Sequence, residues 1–168
     1  MRIVRSLAAI AGLFAYAAAA QAAPRNDAAM VYSVSESDLV ELVQAVGDTV
    51  DAVHPFENDP SVRGKTKDGL KYLFIATDCP EDQQTGCKSI MMQVRYTADD
   101  EVTLKGINDA NYNEAAVGSW WNQDTGTVGF TRFVYMQGGV TWANLKANYR
   151  MLIDAHWNAQ DAVWPPKK

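Results

Sequence analysis

The sequence predicts an α+β domain: an antiparallel five-stranded sheet and three helices in two layers, in the order α-β-β-β-α-β-β-α. Three observations point to it. Trp142, Leu145, Tyr149, Leu152 and His156 recur at alternating spacings of 3 and 4, which makes one buried stripe of a helix. Leu70 to Thr77 and Lys88 to Tyr96 carry a two-residue period. Asp68-Gly69 and Asp124-Thr125-Gly126 are tight-turn signals beside such segments, and strands joined by tight turns run antiparallel.

In chain order, residues 1–22 read as a cleavable signal peptide. Arg2 and Arg5 form a positive start, Leu7 to Ala20 is an uncharged apolar run, and Ala20-Gln21-Ala22 supplies the small residues a peptidase needs, with cleavage near Ala22 or Ala23. The run is too short to span a bilayer, which takes about 20 residues. Nothing polar punctuates it on a helical period, which argues against a buried N-terminal helix. The expected location is the periplasm or outside the cell. Removing this segment leaves 146 of 168 residues, enough for one domain, placed over 35–164. It takes two arginines with it, so 13 basic residues face 20 acidic ones and the net charge moves from −5 to −7. Such a balance argues against nucleic acid and anionic membranes as partners. No later segment is long and apolar enough for stable membrane insertion.

Ser35-Glu36-Ser37-Asp38 resembles a capping box and opens the first helix, with Leu39, Val43 and Val46 on one face and Gly47 ending it. Thr49 to His54 is the first strand, stopped by Pro55. Arg63 to Thr66 is at most a short strand piece before the Asp68-Gly69 turn and is not counted among the five. Leu70, Tyr72, Phe74 and Ala76 share one face of the next strand, and Leu73 and Ile75 the other, so this strand is central. Lys88 to Tyr96 sets Ile90, Met92, Val94 and Tyr96 against Ser89, Gln93 and Arg95. Thr103 caps the second helix, with Leu104, Ile107 and Ala110 inward. Ala116 to Trp121 and Thr127 to Met136 form the second hairpin, and Thr141 caps the last helix after Gly138-Gly139.

Cys79 and Cys87 lie at the mouth of a hairpin. Their spacing is neither that of a redox pair nor that of a zinc knuckle, and in an oxidising compartment a structural disulfide is expected. It would stabilise by roughly 2–3 kcal/mol on the chain-entropy account. The only histidines, His54 and His156, are remote from each other, so no metal site is expected, and no cofactor.

Signatures of catalysis are sparse. Gly118-Ser119-Trp120-Trp121 lacks the second glycine of a nucleophile elbow, and there is no phosphate loop and no H-E-x-x-H. Asn122 to Gly126 lacks the bidentate glutamate of a calcium loop and reads as a turn. Asp99 and Asp100 read as a solvated loop pair, and His156 as a packed core residue. Trp120 and Trp121 must point to opposite faces of their strand. One is core; the other is covered by a helix, held by a partner or left partly exposed, and those alternatives stay open. Tryptophan is favoured in interface anchors, so both are candidate binding residues, with Trp142. Asn108 and Asn111 share a helix face, where their amides either satisfy backbone groups of the next hairpin or meet a ligand.

Cys87-Lys88-Ser89-Ile90, then Leu104-Lys105-Gly106-Ile107-Asn108, then Asn111, then Gly138-Gly139-Val140-Thr141 opening the last helix together resemble the YbjN domain family, across Ser35 to Trp157. Members are described as bacterial sensory transduction regulators. The resemblance implies a twisted antiparallel sheet with helices, similar to type III secretion chaperones, used to hold other polypeptides. The family's middle helix usually carries Ile-Asn-x-Trp-Asn. Here Ile107, Asn108 and Asn111 match, but Ala110 replaces the tryptophan, so a groove shaped by it would differ. The family offers no catalytic residues to carry over.

The expected function is therefore a non-enzymatic binding or chaperone-like regulatory module of the bacterial envelope, with a protein or peptide partner or a second copy of itself. The alternatives are a small periplasmic hydrolase or isomerase using carboxylates or His156, and a structural accessory protein of the envelope.

Overall fold

The computed structural model describes residues 25–56, 59–81 and 83–164. The expected signal peptide, residues 1–22, and the expected cleavage at Ala22 or Ala23 lie outside the described residues.

A short strand β1 (Met30–Val31) leads into helix α1 (Glu36–Ala45). Ser35 caps α1 in a capping box: its N–H donates to Asp38 Oδ2 at 2.7 Å, and its hydroxyl oxygen accepts from Asp38 N at 3.4 Å. Gly47, at φ 88°, takes the chain out of the helix. Four strands follow in sequence: β2 (Thr49–Val53), β3 (Ser61–Lys65), β4 (Lys71–Thr77) and β5 (Ser89–Thr97). Helix α2 (Leu104–Asn113), capped by Thr103, precedes the hairpin of β6 (Gly118–Asn122) and β7 (Thr127–Tyr135). Strand β8 (Val140–Thr141) runs directly into α3 (Trp142–Val163).

The main sheet is ordered β2-β3-β4-β5-β7-β6, and every neighbouring pair is antiparallel. It has six strands where five were expected. The additional strand is β3, which begins at Ser61, ahead of the polar Arg63 to Thr66 piece. The turn at Thr66 to Gly69 registers Lys65 opposite Lys71, so the residues before it must extend beside β4. Gly64 suits that place: a Cβ there would lie 2.3 Å from the ring of Tyr72, which lies across it. A separate two-stranded sheet joins β1 to β8.

Tyr72, Phe74 and Ala76 of β4, Ile90, Met92 and Val94 of β5, and Val128 and Phe130 of β7 share one core with side chains of all three helices. The helices therefore cover one face of the main sheet, and the α+β architecture has two layers. Burial of each large apolar side chain contributes about 1.5–3 kcal/mol. The expected α3 stripe is the spine of this core: Trp142, Leu145, Tyr149, Leu152 and His156 are all buried. Asp48, between α1 and β2, ties three elements together. Its Oδ2 accepts from the Tyr72 hydroxyl at 3.0 Å and from the Tyr149 hydroxyl.

Cys79 and Cys87 form a disulfide between β4 and β5. Cys87 also exchanges two backbone hydrogen bonds with Val34, at 2.8 and 3.0 Å, so the bridge anchors the approach to α1 as well. The N-terminal segment caps α3. Trp142 N donates to Ala29 O at 2.8 Å, Ala143 N to Asp27 O at 3.0 Å, and Asn144 N to Thr141 Oγ1 at 3.1 Å. Those are backbone donors that the start of a helix leaves without an internal partner. Among the described residues, no helix is long and apolar enough to cross a membrane.

Candidate functional site

With the helices on one face, strand alternation sends the other half of the side chains to a face without helices. There β5 presents Met91, Gln93 and Arg95, β7 presents Gly129, Thr131 and Phe133, and β6 presents Trp120, as their register requires. Cross-strand neighbours are Met91 with Phe133, Gln93 with Thr131, and Trp120 with Gly129.

Gly129 is what lets the Trp120 indole lie flat on the sheet: a Cβ at that position would sit 2.1 Å from an indole carbon. The indole Nε1–H donates to Thr131 Oγ1 at 2.8 Å. The same oxygen accepts from Gln93 Nε2 at 3.0 Å, and Gln93 Oε1 accepts from Arg95 Nε at 2.8 Å. Gln93 is only 4% exposed, yet both ends of its amide are satisfied, so burying it leaves no unpaired group. The Arg95 guanidinium in turn stacks over two aromatic rings, 5.1 Å from the Phe56 centroid and 5.7 Å from that of Trp120. These bonds hold one polar row rigid across three strands.

Beside that row lies a shallow, open concavity of about 830 Å³, lined by Met91, Gln93, Trp120, Thr131 and Phe133 among others. Phe133 is 57% exposed, and Tyr135, two residues on, 48%. Large side chains on a face that no helix covers, beside a preorganised polar row, are suited to binding an apolar surface with some hydrogen-bonded register.

The residues singled out from the sequence do not converge on one place. Trp120 lies on the open face. Trp121 points the other way and packs against the core, as alternation requires. Trp142 is buried beneath the Arg25 guanidinium, 4.4 Å from its ring centroid. Asn111 is bound to the sheet: its Nδ2 donates to Ser119 O at 3.0 Å and its Oδ1 accepts from Ser119 N at 2.7 Å. It thus occupies the backbone groups that edge strand β6 turns outward. Asn108 is exposed on α2. His156 is fully buried, with Nδ1 at 2.7 Å from Ile153 O and Nε2 at 3.1 Å from the Tyr96 hydroxyl. Burial lowers its imidazole below the ordinary histidine value. Asp99 is on an exposed loop, where its Oδ1 accepts from Trp164 Nε1 at 2.9 Å.

Arg95, Gln93, Thr131, Phe133 and Phe56 were missed as site residues. One signal in the sequence bears on Gln93 and Arg95: the apolar Met91 stands with them on the side of the Lys88 to Tyr96 strand that otherwise reads as simply polar.

No family model matches the chain, and no curated protein matches it. Among solved structures it is similar to the crystal structure of an uncharacterized protein from Methanothermobacter thermautotrophicus, with 11% identity and a TM-score of 0.51 over 77% of this chain and 99% of the other. At that identity the likeness concerns the fold alone.

Proposed function

We propose that this chain is an exported, non-enzymatic binding module of the bacterial envelope, of the YbjN kind, which holds a segment of another polypeptide on the helix-free face of its sheet. The observation that carries the reading is the open set of large side chains there, Met91, Trp120, Phe133 and Tyr135, beside the Gln93–Thr131 row. Aromatic residues, methionine and arginine are the types enriched in interfaces. Catalysis by His156 finds little support, because both of its ring nitrogens are engaged inside the core. Export is supported by the signal-like N-terminus and by the Cys79–Cys87 disulfide, which persists in oxidising compartments.

A stoichiometric holding assay tests the binding role. The mature protein is mixed with a reduced, unfolding client, and light scattering is followed. The wild-type protein and a Tyr112→Asp control, altered at a side chain 90% exposed on α2, are expected to suppress scattering, and Phe133→Asp to lose most of that effect. Full suppression by Phe133→Asp, or none by the wild type, would sink the reading. Cell fractionation with N-terminal sequencing tests export: an unprocessed chain confined to the cytoplasm refutes it.

A further inference from the structure

Acidic residues outnumber basic ones by 20 to 15 in this chain, yet strands β3, β4, β5, β6 and β7 contain no aspartate or glutamate. On the helix-free face, next to the Trp120 row, Arg63, Lys71 and Arg95 line a small hollow of about 140 Å³ with Leu73 and Gln93. One carboxylate reaches this group among the described residues. Asp51 Oδ2 lies 2.5 Å from Arg63 Nε and 3.5 Å from Lys71 Nζ. Arg95 has no acidic partner among the described residues; Gln93 Oε1 is its acceptor, and the rings of Phe56 and Trp120 flank it. Three cations thus face a hollow that one carboxylate balances only in part, in a protein that is negative overall. Burial also pulls the Arg95 guanidinium below its ordinary value, and no acidic side chain among the described residues offsets the loss of solvent. A half-buried guanidinium with no acidic partner among the described residues carries a desolvation cost, which an incoming anion would relieve.

We infer that the Arg63–Lys71–Arg95 hollow is a carboxylate-binding site, which selects polypeptide segments carrying an acidic side chain or a C-terminal carboxylate next to an apolar residue that packs on Trp120 and Phe133. The inference rests on the polypeptide-binding reading and supplies its specificity. Charge complementarity chooses the occupant. A second copy docked face to face through a two-fold axis would set like-charged hollows together. A polyanion such as a nucleic acid or a membrane surface would be repelled by the rest of the molecule. A single carboxylate in an otherwise apolar segment meets the positive hollow without that penalty. Arg95 is the selecting residue, because its fork is oriented by Gln93 and its plane is fixed by two rings.

Fluorescence anisotropy on the mature full-length chain tests this, with a rhodamine-labelled peptide of alternating Leu and Thr as probe. The probe is used in three forms: neutral and amidated, with a central glutamate and amidated, and neutral with a free C-terminal carboxylate. At low salt one or both carboxylate forms are expected to bind roughly tenfold more tightly than the neutral form, and the form that gains identifies the source of the carboxylate. Arg95→Gln is expected to erase that gain, and Arg95→Lys to restore part of it. Lys71→Gln, at a side chain 56% exposed, reduces the gain even if the Arg95 variants fail to fold. Equal binding of all three forms overturns the carboxylate site and leaves the sheet-face reading standing. No binding of any form overturns the sheet-face reading and this partner with it. Displacement by inorganic phosphate or oligothymidylate, with none by acetate, overturns the choice of carboxylate.

Discussion

Replacing Asp48 by alanine is expected to cost about 3 kcal/mol or more of unfolding free energy, although the carboxylate itself is only half-buried. One oxygen, Oδ2, accepts both phenolic hydroxyls, from Tyr72 on β4 and Tyr149 on α3. Hydrogen bonds to a charged group contribute about 1.5–3 kcal/mol each, and here both donors belong to residues that are 1% and 5% exposed. Water reaches Asp48 from its open side, which places the expected sum at the lower end, about 3 kcal/mol. Tyr72→Phe keeps the ring over Gly64 and removes one bond, for about 1.5 kcal/mol. The triple variant Asp48→Ala, Tyr72→Phe, Tyr149→Phe should recover most of the loss, because no buried hydroxyl is then left unpaired. Urea unfolding followed by tryptophan fluorescence reads these differences; for Asp48→Ala the midpoint should fall by about 1.5–2 M. A loss under about 1 kcal/mol, or a triple variant no more stable than Asp48→Ala, refutes the reasoning. The pair also predicts an alkaline limit. Burial first, and then neighbouring charge and hydrogen bonding, holds the Tyr72 phenol above its ordinary value of 10.0, and burial with the Asp48 bond does so for Tyr149. The folded state thus retains protons that the unfolded chain releases. This contribution is complete below pH 10 and declines as pH rises beyond it.

The His156 imidazole is lowered from its ordinary 6.5 mainly by burial, so the unfolded chain takes up a proton first, and stability should fall as pH drops below about 6.5; a His156→Gln variant should show a flatter pH dependence of urea midpoints between pH 7 and 5. Reducing Cys79–Cys87, whose partners are 8 residues apart, should cost about 2.5 kcal/mol, read as a fall of roughly 10 °C in Tm on adding a phosphine reductant. Asn111→Ala should cost about 1–2 kcal/mol and speed hydrogen exchange at the Ser119 amide; unchanged exchange there would mean that the side chain does not cover the edge. Gly129→Ala should lift the indole off the sheet, break the Trp120–Thr131 bond and red-shift Trp120 emission; a spectrum identical to wild type contradicts the contact.

Most of the architecture was legible because it rests on periodicity. The α3 stripe, the Ser35 capping box, the Thr103 and Thr141 caps and the turns at Gly69 and Gly126 each follow from residue types that few other conformations accommodate. Strand β3 was legible only in part: Arg63 to Thr66 read as at most a short strand piece, and its start at Ser61 and its place in the sheet show only once Tyr72 is seen to need the space above Gly64. Strands β1 and β8, of two residues each, are too short to show any period. The candidate site was legible in part. Alternation alone sets Trp120 and Trp121 on opposite faces, but which face the helices cover depends on tertiary packing. The α3 stripe marked Trp142 as core, and interface statistics for tryptophan pulled the other way; packing decided it. Arg95 was overlooked because a charged residue at an alternate strand position reads as solvated, and only the crossing of Phe56 and Trp120 over it shows otherwise.

The pairing of β1 with β8 matters for the order in which the molecule is assembled. Met30 meets Thr141 and Val31 meets Val140, so the first described strand finds its partner about 110 positions later in the chain. β2, β3 and β4, by contrast, each pair with the strand that follows next in the chain. In a chain that emerges from its N-terminus, the meander can form while the leading segment waits. Trp142 and Ala143 must arrive before Asp27 and Ala29 have donors to receive. The closing of the small sheet is thus a completion step, which fastens both ends of the domain only when nearly all of it has been made.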